Sequence, residues 1–278
     1  MKTIRFSVLS LLASILLSLS SCSDKAVSPT QTVTDPNAVK IPKLLSLTGK
    51  HATYNLSYNG DTLKQIRGVK STTPYQGSNL QWDYEYRTHN GKAVLSLIRY
   101  NTLNDIAISS YDSQSRPAVV DSRTITYDEQ GRVSRIATSE NQYSRYEYQG
   151  ENLKKIYVKE PYGQPESVFF EAMAFDDKIN IYRSFPVATL HRMITSRAYH
   201  NEFSEWYTNM PLGVLSKNNV TSFKIYNTNG SVHTGTIAYT YSAANLPLTM
   251  ATSIVIPASG STQAETLLYN HTLTYASN

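Results

Sequence analysis

Few residues in this chain have the types and spacing that catalysis or metal binding requires. The six histidines are isolated from one another, and the chain has a single cysteine, so no zinc-binding spacing occurs. The glycine-flanked serine of a serine hydrolase is absent, and so is a phosphate-binding glycine loop. The sequence therefore predicts no metal site, no cofactor and no catalytic residues.

Two pairs of carboxylates are the remaining candidates for acid–base chemistry. Asp176 and Asp177 are neighbours, so a strand would point them to opposite faces and a turn would use them to cap backbone N–H groups. Glu202 and Glu205 have the spacing of one helical turn, where a solvated face is the preferred interpretation. A polysaccharide hydrolase using Asp177 and Glu205 needs two carboxyls within about 10 Å in a cleft. We favour a protein that is not an enzyme and keep this hydrolase as the alternative.

Aromatic residues are the candidate contacts for a bound ligand. The chain has 21 tyrosines against seven phenylalanines, which suits a thin sheet that is wet on one side. Cross-strand tyrosine pairing is the preferred interpretation of this excess, and a carbohydrate-stacking surface is the second. Trp82, Trp206 and Tyr207 are the predicted ligand-binding residues.

The first 22 residues have the pattern of a bacterial lipoprotein signal. Lys2 and Arg5 precede an apolar run from Phe6 to Leu19, and small residues lead to Cys22. We expect residues 1–21 to be removed and Cys22 to carry lipid, including an acyl chain such as palmitate. The alternative is an ordinary signal-peptidase site with an incidental cysteine. The membrane, reached through the lipid at Cys22, is thus a predicted partner.

The rest of the chain is divided into a tether and one domain. Residues 22–43 are rich in Ser, Thr, Pro, Val and Asn and predict a flexible tether, and residues 44–278 are long enough for a single β domain. Without the signal, 24 Lys and Arg face 21 acids, so the mature chain is close to neutral. No basic cluster interleaved with aromatics occurs, so nucleic acid is not an expected partner.

A hairpin unit organises the β domain, and its best copy runs from Tyr127 to Ile136. Ile125 and Tyr127 share one strand face, Asp128 suits the start of a turn, and Gly131 suits the left-handed position that closes it. The spacing of Val133 and Ile136 on the return strand predicts a bulge or a twist. Copies follow Tyr58, Tyr86, Tyr148 and Tyr226, with degenerate copies at Tyr111 and Tyr241, where Asn245 is the left-handed candidate. These units predict an all-β antiparallel meander that forms a strongly curved sheet or a barrel.

The hairpin pattern lapses in an insert at about 176–219. We expect a buried strand at Val168–Phe175, a turn at Asp176–Asn180, a short helix within Pro186–Tyr199 and a helical turn at Glu202–Tyr207. The insert is the one place where a pocket is expected. The preferred interpretation is a plug that covers an open end of the sheet.

Two resemblances follow from these motifs. The unit at Tyr127–Ile136 resembles the YD repeats of large bacterial surface proteins. The lipobox, the Tyr-x-Tyr hairpins and the stretches Phe175–Asn180 and Leu215–Asn219 resemble a Bacteroidetes-type lipoprotein family, described only as a domain of unknown function with a porin-like β fold. This resemblance implies an antiparallel barrel-like or strongly curved sheet and supplies no catalytic residues.

The predicted function is non-enzymatic binding of a glycan or an envelope protein, or a structural role. The predicted location is the outer membrane, with the lipid-anchored domain on the periplasmic or the cell-surface side. The alternatives are the hydrolase, a glycan-binding component of an uptake system, and a barrel that itself spans the membrane.

Overall fold

The computed structural model describes residues 42–49, 52–70, 79–101, 105–161, 163–187, 214–258 and 263–276. Sixteen strands in these ranges form one antiparallel sheet that closes into a barrel. The strands are β1 (Leu44–Gly49), β2 (Ala52–Asn59), β3 (Thr62–Lys70), β4 (Asn79–His89), β5 (Lys92–Tyr100), β6 (Ile106–Tyr111), β7 (Pro117–Val120), β8 (Arg123–Tyr127), β9 (Val133–Ser139), β10 (Gln142–Gln149), β11 (Asn152–Lys159), β12 (Ser167–Ile179), β13 (Asn218–Tyr226), β14 (Val232–Tyr241), β15 (Pro247–Ile256) and β16 (Glu265–Tyr275).

The topology is a plain meander in which each strand pairs with the next one along the chain. β16 then pairs with β1, with Leu47 opposite Leu273 and Thr48 opposite Thr272. The all-β antiparallel prediction is confirmed, and of its two forms the molecule adopts the barrel. Closure leaves none of these strands with an unpaired edge, which removes the usual route to edge-to-edge aggregation.

The barrel interior holds a hydrophobic core. Along β2, Tyr54 and Leu56 are buried while Asn55 and Ser57 are exposed, so the alternation points apolar side chains inward and polar ones outward. Ile66, Ile98 and Ile136 from three other strands are 0% exposed. Barrels of 16 strands in porins enclose water, whereas the inward positions described here are filled by packed side chains.

The best hairpin unit has the predicted strand geometry. Ile125 is buried, Tyr127 is half-buried against the same core, and Val133 and Ile136 are both buried on the return strand. The register shifts by one residue between Thr126 and Tyr127, so the predicted bulge is confirmed. The bulge allows two apolar residues three positions apart to face the same core.

The turn predicted at Asp176–Asn180 is wrong. β12 continues to Ile179, opposite the start of β13, because backbone N–H groups of Lys178 and Asn219 both donate to the Asp176 carboxylate and hold the two strands together. A 3-10 helix at Ile181–Ser184 follows, and Asn180 caps it by accepting a 3.0 Å hydrogen bond from the Tyr182 N–H. The helices predicted within 186–199 and at 202–207 lie outside the described residues beyond Val187.

Both described ends of the insert enter the core. Ile181, Tyr182 and Phe185 on one side, and Val214 and Leu215 on the other, are at most 8% exposed and belong to the same apolar cluster as the strands. These two described segments of the insert therefore cover one end of the barrel.

Candidate functional site

One rim of the barrel gathers most of the unusual side-chain geometry. This plugged rim comprises the turns after β2, β4, β6, β8, β10 and β14, the described ends of the insert after β12, the start of β1 and the end of β16. The opposite rim carries the turns that follow the odd-numbered strands. Tyr226 is the last residue of β13, so the turn after it belongs to the opposite rim, although the sequence of this copy resembles the others.

A series of tyrosine hydroxyls holds the plugged rim together. Each described even-numbered strand except β12 carries a tyrosine that donates to a backbone carbonyl near the start of the preceding strand. The pairs are Tyr58–Leu44, Tyr86–Leu63, Tyr111–Leu95, Tyr127–Pro117, Tyr148–Val133, Tyr239–Val220 and Tyr275–Pro247. Each bond joins a strand to the strand before it, at the rim where that pair has no connecting turn. Burial raises the pKa of Tyr58 and of Tyr86 to about 12, so these phenols stay protonated donors at neutral pH.

The Tyr-Asp-x-x-Gly-Arg motif is explained by one turn. The Asp128 Oδ1 accepts hydrogen bonds from the backbone N–H groups of Gln130 and Arg132, at 3.1 and 2.8 Å, and Oδ2 accepts one from Arg132 Nε at 2.7 Å. The Arg132 guanidinium lies 4.4 Å from the ring centre of Tyr148. Burial alone would raise the pKa of Asp128, but the hydrogen bonds from Arg132 outweigh it and the pKa lies below its ordinary value. Gly131 has a φ of +77°, the left-handed conformation predicted for it.

The copy at Tyr111 has the same turn although it lacks the glycine. Asp112 accepts from the backbone and from the Nε of Arg116 at 2.9 and 2.7 Å, and Ser115 takes the left-handed position with a φ of +65°. The Arg116 guanidinium lies 4.0 Å from the ring centre of Tyr127, so successive units are linked by cation–π contacts. Sequence reasoning missed this copy's full geometry because serine rarely adopts a left-handed conformation. Asn245, with a φ of +59°, is in the predicted conformation.

A cleft of about 730 Å³ opens on the plugged rim between the turns after β8 and β10 and the ends of the insert. Its lining mixes aromatic and apolar side chains with polar and charged ones, among them Tyr127, Arg132, Tyr148, Glu151, Arg183 and Leu215. Arg183 donates to Glu151 at 3.2 Å, and Lys217 pairs with the other oxygen of the same carboxylate. The Lys217 hydrogen bond is the largest cause of a lowered pKa at Glu151. A lining of paired charges, hydroxyls and rings suits a neutral polar ligand such as a sugar or a peptide backbone.

The ends of the insert are fixed to the turn after β10. The Asn152 and Asn218 amides exchange hydrogen bonds, with Asn152 Nδ2 donating to Asn218 Oδ1 at 3.1 Å and the Asn218 N–H donating to Asn152 Oδ1 at 2.8 Å. The Leu153 N–H donates to Ser216 Oγ at 3.1 Å. Because these partners are more than 60 residues apart, no local pattern in the sequence could have predicted them.

Asp176 and Asp177, the predicted carboxylate pair that the structure describes, are both held in structural contacts. Asp176 accepts hydrogen bonds from Asn219 and from the Tyr241 hydroxyl. Asp177 is 84% exposed and pairs with Lys178 at 3.1 Å. Burial, followed by the hydrogen bond to Asp176, raises the pKa of Tyr241. Glu202 and Glu205 lie outside the described residues.

The predicted ligand-binding tryptophan at position 82 lies in the core. Trp82 is 5% exposed, stacks on Tyr54 with ring centres 5.8 Å apart, and meets Tyr100 edge-on at 5.9 Å. The structure therefore gives Trp82 a packing role, and a ligand would have to enter the core to stack on it. Trp206, Tyr207 and the lipidation residue Cys22 lie outside the described residues, and their roles stay predictions.

The described residues bring no group of three or more His, Cys, Asp or Glu side chains close enough to hold a metal ion. Within the same part of the chain, no helix has both the length and the apolar character to cross a bilayer.

Comparison with known proteins finds similarity in fold alone. No family model matches the chain, and no curated protein matches it. Solved structures do match, among them a porin-like protein from Bacteroides uniformis, with 14% identity over 85% of this chain and 98% of that one and a TM-score of 0.48. The resemblance to the lipoprotein family therefore stays a prediction, and function has to be inferred from the residues of this barrel.

Proposed function

We propose that this protein is a lipid-anchored β-barrel of the outer membrane that binds or supports another envelope component and performs no catalysis. The observation that carries the proposal is the polarity of the barrel wall. On β10 and β11, Tyr146 and Ile156 are at most 4% exposed and face the core, while Arg145 and Lys155 face outward. Such a wall is suited to water on its outside.

A barrel that spans a membrane needs the opposite arrangement, with an apolar band outside. Each Arg or Lys on the lipid-facing side costs roughly 2–4 kcal/mol at the bilayer midplane, and outward charges occur on most strands from β3 to β13. Attachment to a membrane must then come from another part of the chain. Cys22, with its lipoprotein signal, supplies that attachment in this proposal, and residues 22–43 supply the tether.

The proposed ligand is a glycan or an envelope protein, and its proposed place is the cleft on the plugged rim. The described ends of the insert line this cleft through Arg183, Val187 and Leu215. The insert sequence between those ends carries the two predicted aromatic contacts, Trp206 and Tyr207. Aromatic rings beside hydrogen-bonding groups are the usual composition of sites that bind sugars or peptides.

The anchor is tested by expressing the full chain and its Cys22→Ala variant in a Gram-negative host with radioactive palmitate. We expect label and membrane association in the natural chain and neither in the variant. A Cys22→Ala protein that remains in the membrane fraction and requires detergent for extraction would overturn the proposal in favour of a spanning barrel.

Binding is tested by thermal-shift measurements on the full chain with soluble glycans, peptidoglycan fragments and peptides. A ligand at a hundred times its dissociation constant adds roughly 2.7 kcal/mol to the free energy of unfolding. Arg183→Ala in the cleft should weaken a shift that Arg99→Ala leaves unchanged, since Arg99 is an exposed, ion-paired arginine on β5. Turnover of a glycan, detected by reducing-end release, would instead support the hydrolase and contradict a non-enzymatic role.

A further inference from the structure

We infer that two copies of this chain dock through the outer face of β14, β15, β16, β1 and β2. These five strands are consecutive around the barrel. Their outward residues are here called the threonine face. The inference does not depend on the ligand or the anchor proposed above.

A row of threonines runs straight across all five strands. Thr240 lies opposite Thr249, Thr249 opposite Thr272, Thr272 opposite Thr48, and Thr48 opposite Thr53. Their hydroxyls and methyl groups point away from the core, because the neighbouring positions along each strand, such as Met250 and Leu273, are buried. Thr240 and Thr249 already share a hydrogen bond, with hydroxyl oxygens 2.6 Å apart.

The threonine face is nearly free of charge, unlike most of the barrel wall. Glu265, at the first position of β16, is the only Asp, Glu, Lys or Arg in these five strands. By contrast, β3 to β5 and β8 to β13 each carry at least one charged side chain. A second copy can therefore approach this face without desolvating ions or opposing like charges.

The exposed apolar side chains are concentrated in the same place. Six large hydrophobic residues among the described positions are well exposed. Four are on these strands, namely Leu45, Leu248, Val255 and Leu268, and Val69 lies opposite Thr53 at the margin. Leu268 is the most exposed of them at 64%. Clustered exposed hydrophobic residues mark interaction surfaces more often than isolated ones do.

The occupant that fits best is an identical face related by a two-fold axis. A hydroxyl both donates and accepts hydrogen bonds, so a row of threonines can form hydrogen bonds with the same row on a second copy. A row of lysines or of glutamates cannot, because like charges would oppose each other. Five strands spaced about 4.8 Å apart, each with roughly eight residues, cover on the order of 650 Å² per copy. Because these five of sixteen strands form a convex part of the barrel, two copies bury only the central part of this area, and the contact belongs to the size class of weak, transient interfaces.

The regular register of this part of the sheet supports a smooth contact surface. The pairs β15–β16 and β1–β2 have no register shift, while β14–β15 and β1–β16 each shift once, next to the plugged rim at Thr240/Tyr241 and at Leu44/Ser46. Pairs elsewhere, such as β12–β13, shift several times. Bulges bend and twist strands, so their scarcity leaves the threonine face even.

The proposal is tested first by cysteine crosslinking of the full chain in intact cells. Ala251 lies near the middle of the face on β15, and Ala107 is an exposed alanine on β6 that serves as the matched control. Under an oxidant, Ala251→Cys should give a band of twice the mass, whereas Ala107→Cys and the unsubstituted chain with Cys22 should not. No band for Ala251→Cys, or equal bands for both variants, would overturn the proposal.

Native mass spectrometry of the full chain gives an independent test. The natural chain and Ala107→Lys should form dimers, while Ala251→Lys should be a monomer with an unchanged melting temperature. Dimers that persist in Ala251→Lys would place the contact elsewhere, and a monomeric natural chain would overturn the proposal. In the Cys22→Ala background, which removes the proposed anchor, a monomer that floats with phosphatidylcholine vesicles would assign the face to a lipid surface instead.

Discussion

At the scale of residues, the tyrosine hydroxyls of the plugged rim donate hydrogen bonds to backbone carbonyl groups that lie beyond the last paired residues of the two strands. In β1 and β2, for example, the paired residues stop at Ser46 and Asn55, and the Tyr58 hydroxyl then reaches the Leu44 carbonyl at 3.0 Å. The rings meanwhile pack against the core. Tyrosine is thus preferred over phenylalanine at these positions because each ring must be apolar along its length and polar at its end.

Tyr127→Phe should lower the free energy of unfolding by about 1 kcal/mol, because the Pro117 carbonyl loses its 2.8 Å hydrogen bond. Urea denaturation measures the change. Tyr157→Phe is the control, since the Tyr157 hydroxyl bonds to Glu147 on the outer wall and the loss there is compensated by water. Equal costs for the two variants would contradict a structural role of the rim hydroxyls.

His271 should make the barrel sensitive to mild acid. Its side chain is 3% exposed, and burial lowers its pKa to about 4. In the unfolded chain this histidine has a pKa of about 6.5, so between about pH 6.5 and pH 4 it is protonated in the unfolded state and neutral in the folded state. The free energy of unfolding therefore falls as the pH is lowered through that range. The loss is on the order of 3 kcal/mol. In His271→Leu this pH dependence should weaken in denaturation curves, leaving the contributions of His233, whose pKa burial also lowers, and of carboxylates such as Asp128. An unchanged slope between those pH values would count against the assignment.

At the scale of elements, the hairpin turns differ in how much strain they carry. Gly131 and Ser115 occupy equivalent left-handed positions, with φ values of +77° and +65°. A left-handed conformation costs a residue with a Cβ atom roughly 1–2 kcal/mol, and glycine avoids that cost.

Ser115→Gly should therefore stabilise the protein by about 0.5–1 kcal/mol, and Gly131→Ser should destabilise it by a similar amount or more. A Cβ at Gly131 would also press on the Arg116 guanidinium at 2.8 Å, although that side chain can move. Thermal unfolding of both variants measures the effect. Changes of the same sign in the two turns would show that their conformations are not equivalent.

The hairpins could be predicted from the sequence because their contacts are local. The insert could not, because its contacts join residues far apart in the sequence. The turn at Asp128–Arg132 is held by bonds between residues two to four positions apart, so its pattern is local. The course of β12 depends on Asn219, 43 residues beyond Asp176. The burial of Trp82 likewise depends on the closure of the barrel. The sequence of β4 does not show which face turns inward, because its aromatic face consists largely of tyrosines, which suit either side.

At the scale of the whole molecule, the pair β1–β16 closes the barrel across the longest separation in the chain. Ser46 and Thr274, whose hydroxyls are 2.7 Å apart, are 228 residues apart in sequence. All other strand pairs join neighbours along the chain. Loop closure over such a distance costs entropy before any contact compensates it, so this pair should form late in folding.

Leu47→Ala in β1 should therefore mainly speed unfolding, whereas Leu153→Ala in the local β10–β11 hairpin should slow folding as well. Both leucines are 1% exposed, and each substitution should cost about 2–5 kcal/mol. Stopped-flow folding and unfolding rates in urea separate the two effects. A folding rate that Leu47→Ala slows more than Leu153→Ala does would show that closure comes early.

The two ends of the barrel domain meet where the barrel closes, since the Ala276 N–H donates to the Lys43 carbonyl at 3.0 Å. The order of strands around the barrel is therefore independent of which strand comes first in the polypeptide. A circular permutant joined by a short linker between residues 276 and 42, and opened at the turn of Asp121 and Ser122, would keep every neighbour in the sheet. In that molecule β1 and β16 would become an ordinary hairpin, and the slow long-range closure would pass to β7 and β8.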